Sequence, residues 1–136
     1  MPLTVRPTLP QDEQFLYQLV YQTMSEQLFA WTWDPNIREQ LLDLQIRAKH
    51  GSYAAEYPHA NHGIIVWDNE PVGRLIVDRS GEFHVLVDIA ILPKYRSAGI
   101  GTRIILGLCM EADLVKKKLR LQVSITNPRK LLGLPV

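Results

Sequence analysis

The stretch Asp88-Ile89-Ala90-Ile91-Leu92-Pro93-Lys94-Tyr95-Arg96-Ser97-Ala98-Gly99-Ile100-Gly101-Thr102 decides the fold of this chain. Its first residues are apolar and predict a strand, which Pro93 ends. A short loop containing Arg96 follows. After Gly99 the apolar residues recur at the period of a helix, at Ile100, Ile104, Ile105, Leu108 and Ala112. The stretch therefore predicts a strand, a loop and a helix in succession.

The glycines of this loop predict an anion-binding site. Gly99 and Gly101 allow the backbone to approach a ligand closely, and the first N–H groups of a helix have no acceptor within the helix. A phosphate group is the natural ligand of such a helix N-terminus. Two other phosphate-binding motifs fit less well. The motif G-x-x-x-x-G-K-[ST] does not occur in the sequence, and the dinucleotide fingerprint needs a glycine triplet early in a βαβ unit.

The composition is that of an ordinary globular domain. The chain has 136 residues, of which 46% are hydrophobic and 21% are charged. This size fits a single domain over residues 1–136. The net charge of +1 disfavours a dedicated nucleic-acid-binding protein, because such domains carry a strong basic excess. Cys109 is the single cysteine, so no intrachain disulfide can form.

The same sequence disfavours a membrane protein and a metalloprotein. It contains neither a basic leader followed by an apolar run nor a stretch of about 20 apolar residues, so we expect a cytoplasmic protein without membrane contact. His59 and His62 are three residues apart, but no third ligand lies near them in the sequence. We therefore expect no metal site.

Apolar patterns along the chain predict the element order β-α-α-β-β-β-α-β. This order is typical of an α+β (α/β) fold, a mixed sheet with helices on both faces. The strands are expected at 3–6, 63–67, 72–77, 83–91 and 119–125. A helix joins the last two strands, so they should be parallel neighbours.

The two helices before the second strand are predicted from caps and apolar faces. Thr8 or Asp12 can cap the first helix, whose inward residues are expected to be Phe15, Leu16, Leu19, Val20 and Met24. Asp34 and Pro35 open the second helix, which should end near Gly51. Its expected inward residues are Ile37, Leu41, Leu44 and Ala48. Phe29, Trp31 and Trp33 then fall in the connecting segment, where they either pack on the core or roof a pocket.

The pattern Arg96-x-x-Gly99-x-Gly101 resembles the acyl-CoA pyrophosphate loop of the GNAT superfamily, the acyl-CoA-dependent N-acyltransferases. The preceding strand, the Pro-x-Tyr-Arg entry and the following helix strengthen the resemblance. It implies that the strands at 83–91 and 119–125 splay apart, that acetyl-CoA lies in the notch between them, and that its pyrophosphate sits on the loop. The implied cofactor-binding residues are Ile89, Ala90, Ile91, Arg96, Ser97, Ala98, Gly99, Ile100, Gly101, Thr102 and Asn127.

The resemblance also implies how acyl transfer would proceed. A backbone N–H of Ala90 or Ile91 would polarise the thioester carbonyl, and Asp88 would act as a general base or hold a water. Asp88 has a structural alternative, as a polar residue that holds a bulge or a neighbouring loop. The implied reaction moves an acetyl or other acyl group from acetyl-CoA to a primary amine of a small molecule or a protein.

The sequence departs from the family after Asn127. Family members continue through a helix with a Leu-Tyr pair and two closing strands, and that tyrosine is the usual general acid. Here the chain ends at Val136, with no tyrosine after Tyr95, so the resemblance covers residues 3–128 and the domain is expected to be short at its C-terminus. An exposed sheet edge and the apolar run 131–134 suggest a homodimer.

Two alternatives to an active enzyme stay open. One is an acyl-CoA-binding module of the same shape with impaired catalysis, acting as a sensor or interaction protein. The other is an unrelated α/β domain that uses the Gly99 and Gly101 loop for a different phosphate ligand.

Overall fold

A computed structural model describes residues 2–31 and 34–122 of the chain. Asn127, Trp33 and the apolar run 131–134 lie outside the described residues. The strands are β1 (Leu3–Pro7), β2 (Asn61–Trp67), β3 (Glu70–Asp78), β4 (His84–Ile91) and β5 (Leu119–Leu121). The helices are α1 (Glu13–Trp31), α2 (Pro35–Glu56) and α3 (Ile100–Leu114). Short 3₁₀ turns span Pro10–Asp12 and Pro93–Tyr95.

The five strands form one mixed sheet in the order β1-β2-β3-β4-β5. The first four are antiparallel neighbours, and β5 pairs with β4 in parallel. A tight turn joins β2 to β3, where Asp68 and Asn69 have φ of 52° and 65°. Both predictions about the sheet, the order of its elements and the parallel pair across a helix, are confirmed.

Helices cover both faces of the sheet, as predicted. On one face, α3 buries Ile100, Ile104 and Leu108 in a core that also contains strand residues Ile65, Val72, Leu75, Val77, Leu86 and Ile89. On the other face, Val20 of α1 and Leu42 of α2 form a second buried cluster. Successive strand residues point to opposite faces, so Ile89 contacts the α3 layer while Asp88 faces α1 and α2.

Three predictions about α1 and α2 are wrong. α2 continues through Gly51 to Glu56, because an internal glycine costs a helix only about 1 kcal/mol and the extra turn brings Tyr53 onto the sheet. α1 extends to Trp31, so Phe29 and Trp31 belong to the helix and not to a connecting segment. The inward face of α2 is also different: Leu42 is fully buried, whereas the side chain of Leu44 is 62% exposed.

The predicted N-terminal cap is found in α2 but not in α1. Asp34 accepts a hydrogen bond from the N–H of Asn36 at 2.9 Å and caps α2, as predicted. Asp12 does not cap α1, since it ends the 3₁₀ turn before that helix. Its carboxylate instead accepts the N–H of Leu9 at 2.8 Å and two hydrogen bonds from Arg6, also at 2.8 Å.

Strand β4 contains a bulge at Val87. Val77 of β3 pairs with Leu86, and the preceding residue, Ile76, pairs with Asp88. Val87 is therefore one additional residue in β4, which is the definition of a β-bulge. The pairing alternation on the two sides of Val87 is shifted by one residue.

The bulge changes which backbone groups of β4 face β5. Before it, the N–H of His84 donates to the carbonyl of Lys118 at 3.0 Å, and the carbonyl of Leu86 accepts from the N–H of Gln122 at 2.9 Å. Even-numbered residues thus face β5 ahead of the bulge. Beyond it the alternation is inverted, and odd-numbered residues take that orientation.

Candidate active site

The loop after β4 has the backbone that an anion site needs. Gly99 is the N-cap of α3 in the left-handed conformation, with φ of 79° and ψ of 9°. Ser97 also has a positive φ, of 66°, which a residue with a Cβ adopts at a cost. The carbonyl of Gly99 accepts the N–H of Arg103 at 3.0 Å, so the earlier N–H groups of the helix point out of its N-terminus.

Aromatic packing anchors the loop to the sheet. Tyr95 packs edge-to-face on Trp67 of β2, with ring centroids 5.9 Å apart. The ammonium of Lys94 lies 5.0 Å from the Tyr95 ring centroid, and the N–H of Arg96 bonds the carbonyl of Pro93 at 3.1 Å. These contacts fix the backbone of the segment that carries Lys94 and Arg96 into the N-terminus of α3.

The first turn of α3 separates buried residues from accessible ones. Ile100 and Gly101 are buried, while Thr102 is half-buried. Ser97 and Ala98, which precede the helix, are exposed. The accessible part of the loop is thus the part that directly precedes α3, at the N-terminus of that helix.

Past the bulge, two residues of β4 point their backbone N–H and C=O groups away from β3. The N–H of Leu92 donates to the carbonyl of Val72 at 2.8 Å. Hydrogen-bonded pairs alternate along an antiparallel ladder, so Ala90 also directs its N–H and C=O to β3, whereas Ile89 and Ile91 direct theirs to the opposite side. Between the two donors predicted from the sequence, this orientation favours Ile91 over Ala90.

Asp88 lies on the face of the sheet covered by α1 and α2, where Arg74 of β3 holds it. The Nε of Arg74 donates to Oδ2 of Asp88 at 3.0 Å, and its Nη2 donates to the same oxygen. Both side chains are largely buried, with exposed fractions of 11% and 13%. Arg74 pairs with Ala90 across the ladder, so the ion pair lies directly beside the segment 89–91.

Tyr53 of α2 completes this cluster. Its hydroxyl is in hydrogen-bonding contact with Asp88, and its pKa is raised to about 12 by desolvation first, then by the negative charge of Asp88, while Arg74 opposes the rise. The phenol therefore stays protonated near neutral pH and can donate its proton in a hydrogen bond to the carboxylate. The predicted base is thus part of a buried three-residue cluster of Tyr53, Asp88 and Arg74.

A cavity of about 450 Å³ opens next to this cluster, between α1, α2 and the sheet. It is mostly apolar, with Glu13 and Arg74 as its charged residues. The lining residues are Leu9, Pro10, Glu13, Leu16, Tyr17, Val20, Ile46 and Arg74. The pKa of Tyr17 is raised by desolvation and then by the nearby carboxylates of Asp43 and Glu39, so these two carboxylates lie near one of the lining residues.

A second groove, of about 750 Å³, lies on the other face of the sheet, between α3 and strands β1 to β3. Arg79 crosses its rim and bonds Glu111 of α3 and Asn61 of β2. Glu111 has a lowered pKa because of its hydrogen bonds from Arg79. The groove is separated from Asp88 by the sheet itself and does not belong to the cluster around that residue.

The described residues contain neither a metal-binding cluster nor a membrane-spanning helix. No group of three or more His, Cys, Asp or Glu side chains within 2–31 and 34–122 is arranged to hold a metal ion. No helix in the same part of the chain combines the length and the apolar character that crossing a membrane requires.

The sequence predicted the loop and its strand but missed two members of the cluster. Asp88 and residues 89–91 lie in the second half of β4, and the loop 96–102 follows them in the chain. Asn127 cannot be placed with them, since it lies outside the described residues. Arg74 and Tyr53 were not predicted. A signal for Arg74 exists, because a charged residue in a strand that is otherwise apolar needs a buried partner.

The chain thus combines a mixed sheet that has helices on both faces with a loop and helix N-terminus shaped for an anion after its fourth strand. A family model described as the acetyltransferase (GNAT) family matches residues 18–130. The chain belongs to this family. No curated protein matches the chain.

Solved structures with the same fold are distant in sequence. YycN from Bacillus subtilis is 18% identical, with a TM-score of 0.61 over 96% of this chain and 88% of its own. Ribosomal-protein-alanine N-acetyltransferase from Brucella melitensis biovar Abortus is 17% identical, with a TM-score of 0.58 over 96% and 86%. PaiA N-acetyltransferase from Thermoplasma acidophilum, solved with coenzyme A, is 13% identical, with a TM-score of 0.53 over 85% and 72%.

Proposed function

We propose that this protein is an N-acyltransferase that moves an acetyl group from acetyl-CoA to a primary amine. The orientation of β4 past its bulge carries this proposal. Ile89 and Ile91 turn their backbone groups away from β3, and the anion-binding loop begins directly after them. CoA has an extended pantetheine arm with two amide groups that leads into a pyrophosphate, so it can bond both features at once.

Each part of CoA has a proposed partner. The pyrophosphate accepts hydrogen bonds from the N–H groups of residues 98–102, with Ser97 beside them, and Arg96 adds a charge-assisted bond. The pantetheine arm bonds the backbone of Ile89 and Ile91. Ala90 lines the path with its small side chain, and Asn127 is the proposed partner of the pantetheine from the next segment.

The chemistry needs an aligned thioester and a neutral amine. The amine nitrogen attacks the thioester carbonyl carbon, the carbonyl oxygen becomes an oxyanion, and the N–H of Ile91 donates to it. Collapse breaks the carbon–sulfur bond and releases the CoA thiolate, which takes up a proton. We propose that Asp88 holds the attacking amine or a water that removes its proton. Positioning the two substrates supplies much of the rate.

The cavity beside Arg74 is the proposed acceptor site. It reaches the sheet next to Ala90, on the face opposite α3. Its apolar lining suits the carbon skeleton of a small molecule or a side chain, and the carboxylates of Glu13, Glu39 and Asp43 attract an ammonium ion before it loses its proton.

Residues 1–136 form one domain in this proposal, and no metal takes part.

The cofactor site is tested by titrating the protein with acetyl-CoA in a calorimeter. We expect Arg96→Ala to weaken binding by about 1–3 kcal/mol, the range for a hydrogen bond to a charged group. Gly101→Val should also weaken binding, because Gly101 is buried in the first turn of α3. Arg47→Ala, on the exposed side of α2, is the matched control. Unchanged affinity in both loop variants would contradict the assignment.

The reaction is tested by thiol release from acetyl-CoA with a panel of primary amines. An enzyme turns over at about 1–10³ per second. Tight binding of acetyl-CoA without amine-dependent thiol release would contradict the transferase proposal and favour a binding module.

A further inference from the structure

Arg74 is a buried guanidinium whose hydrogen-bonding capacity is only partly used. A guanidinium has five N–H donors. Within residues 2–31 and 34–122, Arg74 uses one on Nε and one on Nη2, both directed to Oδ2 of Asp88. Two donors on Nη1 and one on Nη2 are left. Arg74 as a whole residue is only 9% exposed, but none of its nitrogens is among the fully buried polar atoms that lack a partner in the described residues. Its remaining donors are therefore within reach of a ligand.

The remaining donors of Arg74 belong to the acceptor cavity. Arg74 is one of the residues that line this cavity, and the others near it are mostly apolar. The Arg74–Asp88 bonds fix the plane of the guanidinium, because Nε and Nη2 share one carboxylate oxygen. Tyr53 holds Asp88 from α2. Asp88 and Tyr53 therefore fix the orientation of the remaining Nη1 and Nη2 donors before any ligand binds.

We propose that Arg74 is a specificity residue for the acyl acceptor. Its remaining N–H groups on Nη1 and Nη2, here called its free edge, donate hydrogen bonds to an oxygen atom that the acceptor carries near its amine. The acceptor class is then an amine with an adjacent carbonyl or carboxylate, as in an amino acid, an amino-acid amide or a peptide N-terminus. This inference rests on the proposed function, since it assumes that the cavity admits the acceptor.

The position of Arg74 in the sheet supports this geometry. Arg74 is directly opposite Ala90 in the β3–β4 ladder, and side chains that face each other in this way have Cβ atoms about 5 Å apart. The proposed oxyanion donor is the next residue, Ile91. An oxygen bonded by Arg74 would therefore hold an adjacent amine close to the thioester carbon, which a plain alkylamine cannot achieve through this contact.

The test compares alaninamide with sec-butylamine, its analogue without the amide group. Each amine is assayed with acetyl-CoA in the unmodified protein and in Arg74→Lys, which keeps a positive charge beside Asp88 but lacks the forked edge. We expect kcat/KM for alaninamide to fall about 10- to 100-fold in Arg74→Lys, as for the loss of a hydrogen bond to a charged group. The value for sec-butylamine should fall by a clearly smaller factor, because this amine loses only the contribution of Arg74 to the position of Asp88.

The comparison is internally controlled. Each amine is compared with itself in the two proteins, so the different basicities of the amines cancel. Tyr53→Phe is the matched variant: it disturbs Asp88 without removing the free edge of Arg74, so it should affect both amines equally. Equal losses for both amines in Arg74→Lys would reduce Arg74 to a structural role and overturn the inference.

Two further outcomes are informative. If Arg74→Lys fails to fold, the unmodified protein alone decides. The kcat/KM of each amine is then calculated from the concentration of its neutral form, and a value for alaninamide no higher than that for sec-butylamine overturns the inference. Where turnover is absent, equilibrium binding of the two amines to the CoA complex gives the same comparison, and equal or undetectable binding of both overturns it. Failure to bind CoA at all would instead contradict the proposed function.

Discussion

Gly99 and Gly107 are two glycines of the same helical region that differ in backbone conformation. A Cβ added at either position would meet no atom within 4 Å, but Gly99 has φ of +79° and Gly107 lies inside α3. We expect Gly99→Ala to lower the free energy of unfolding by about 1–2 kcal/mol, the cost of a left-handed residue with a Cβ. Gly107→Ala should raise it by about 0.5–1 kcal/mol, since alanine favours a helix.

Urea unfolding of the two variants measures this difference. Because neither substitution creates a clash, the opposite signs come from φ alone. A similar change in stability for both alanines would mean that the loop does not hold Gly99 in the left-handed conformation. The CoA affinity of Gly107→Ala should match that of the unmodified protein.

Single residues were also where sequence analysis was weakest. Gly99, Gly101 and Arg96 were predictable, because they lie within one short segment whose spacing has a direct physical meaning. Arg74 is 14 positions from Asp88, and their contact depends on the register of two strands. A bulge shifts that register, and local periodicity contains no information about it.

At the scale of elements, the close approach of β3 and β4 depends on Gly73. A Cβ at this position would lie 2.4 Å from the carbonyl oxygen of Ala90 and 3.3 Å from the Cα of Ile91. Both atoms belong to the backbone, so the strand itself would have to move. We expect Gly73→Ala to destabilise the protein and to weaken CoA binding, because the displaced segment carries the proposed pantetheine contacts.

The matched control for this prediction is Gly51→Ala, since a Cβ there would meet nothing within 4 Å and the residue lies in α2. Both variants are compared by thermal unfolding and by acetyl-CoA titration. Normal CoA affinity in a folded Gly73→Ala variant would show that residues 89–91 tolerate displacement, contrary to the role proposed for them.

The elements themselves were predicted better than their limits. Strand order and the parallel β4–β5 pair follow from alternation and from the helix between them, and both are confirmed. The ends of α1 and α2 were not predictable, because tertiary contacts of Tyr53 and its neighbours outweigh the weak local preference of Gly51 to end a helix. The same contacts decide which residues of α2 face inward.

At the scale of the whole molecule, Asp12 links stability to pH. Its carboxylate fastens the turn after β1 to Arg6, and hydrogen bonds from Arg6 and then from the N–H of Leu9 lower its pKa from an ordinary 3.8 to about 2. A carboxylate with a lowered pKa contributes stability above its unfolded pKa, and this contribution is lost as the pH falls through the folded value. The loss should therefore occur between about pH 4 and pH 2.

We expect Asp12→Asn to have a lower urea midpoint than the unmodified protein at pH 7. The two midpoints should converge as the pH falls through the window given above, because protonation then removes from the unmodified protein the charge that Asp12→Asn already lacks. Asp113→Asn, on the exposed side of α3, is the control and leaves the Arg6–Asp12 pair intact. A constant difference between Asp12→Asn and the unmodified protein at all pH values would exclude the charge of Asp12 as its cause.

The bulge at Val87 makes the two halves of β4 out of phase with each other. In a regular strand, Asp88 would share a face with Leu86 and His84 and would enter the apolar layer under α3. The additional residue turns Asp88 to the helix pair on the other side and turns the backbone groups of Ile89 and Ile91 away from β3. The orientation of these residues therefore depends on how many residues β4 contains as well as on which residues they are. Replacing Val87 by another apolar residue preserves the site, whereas removing it would exchange the two faces of every residue that follows, down to the start of the loop.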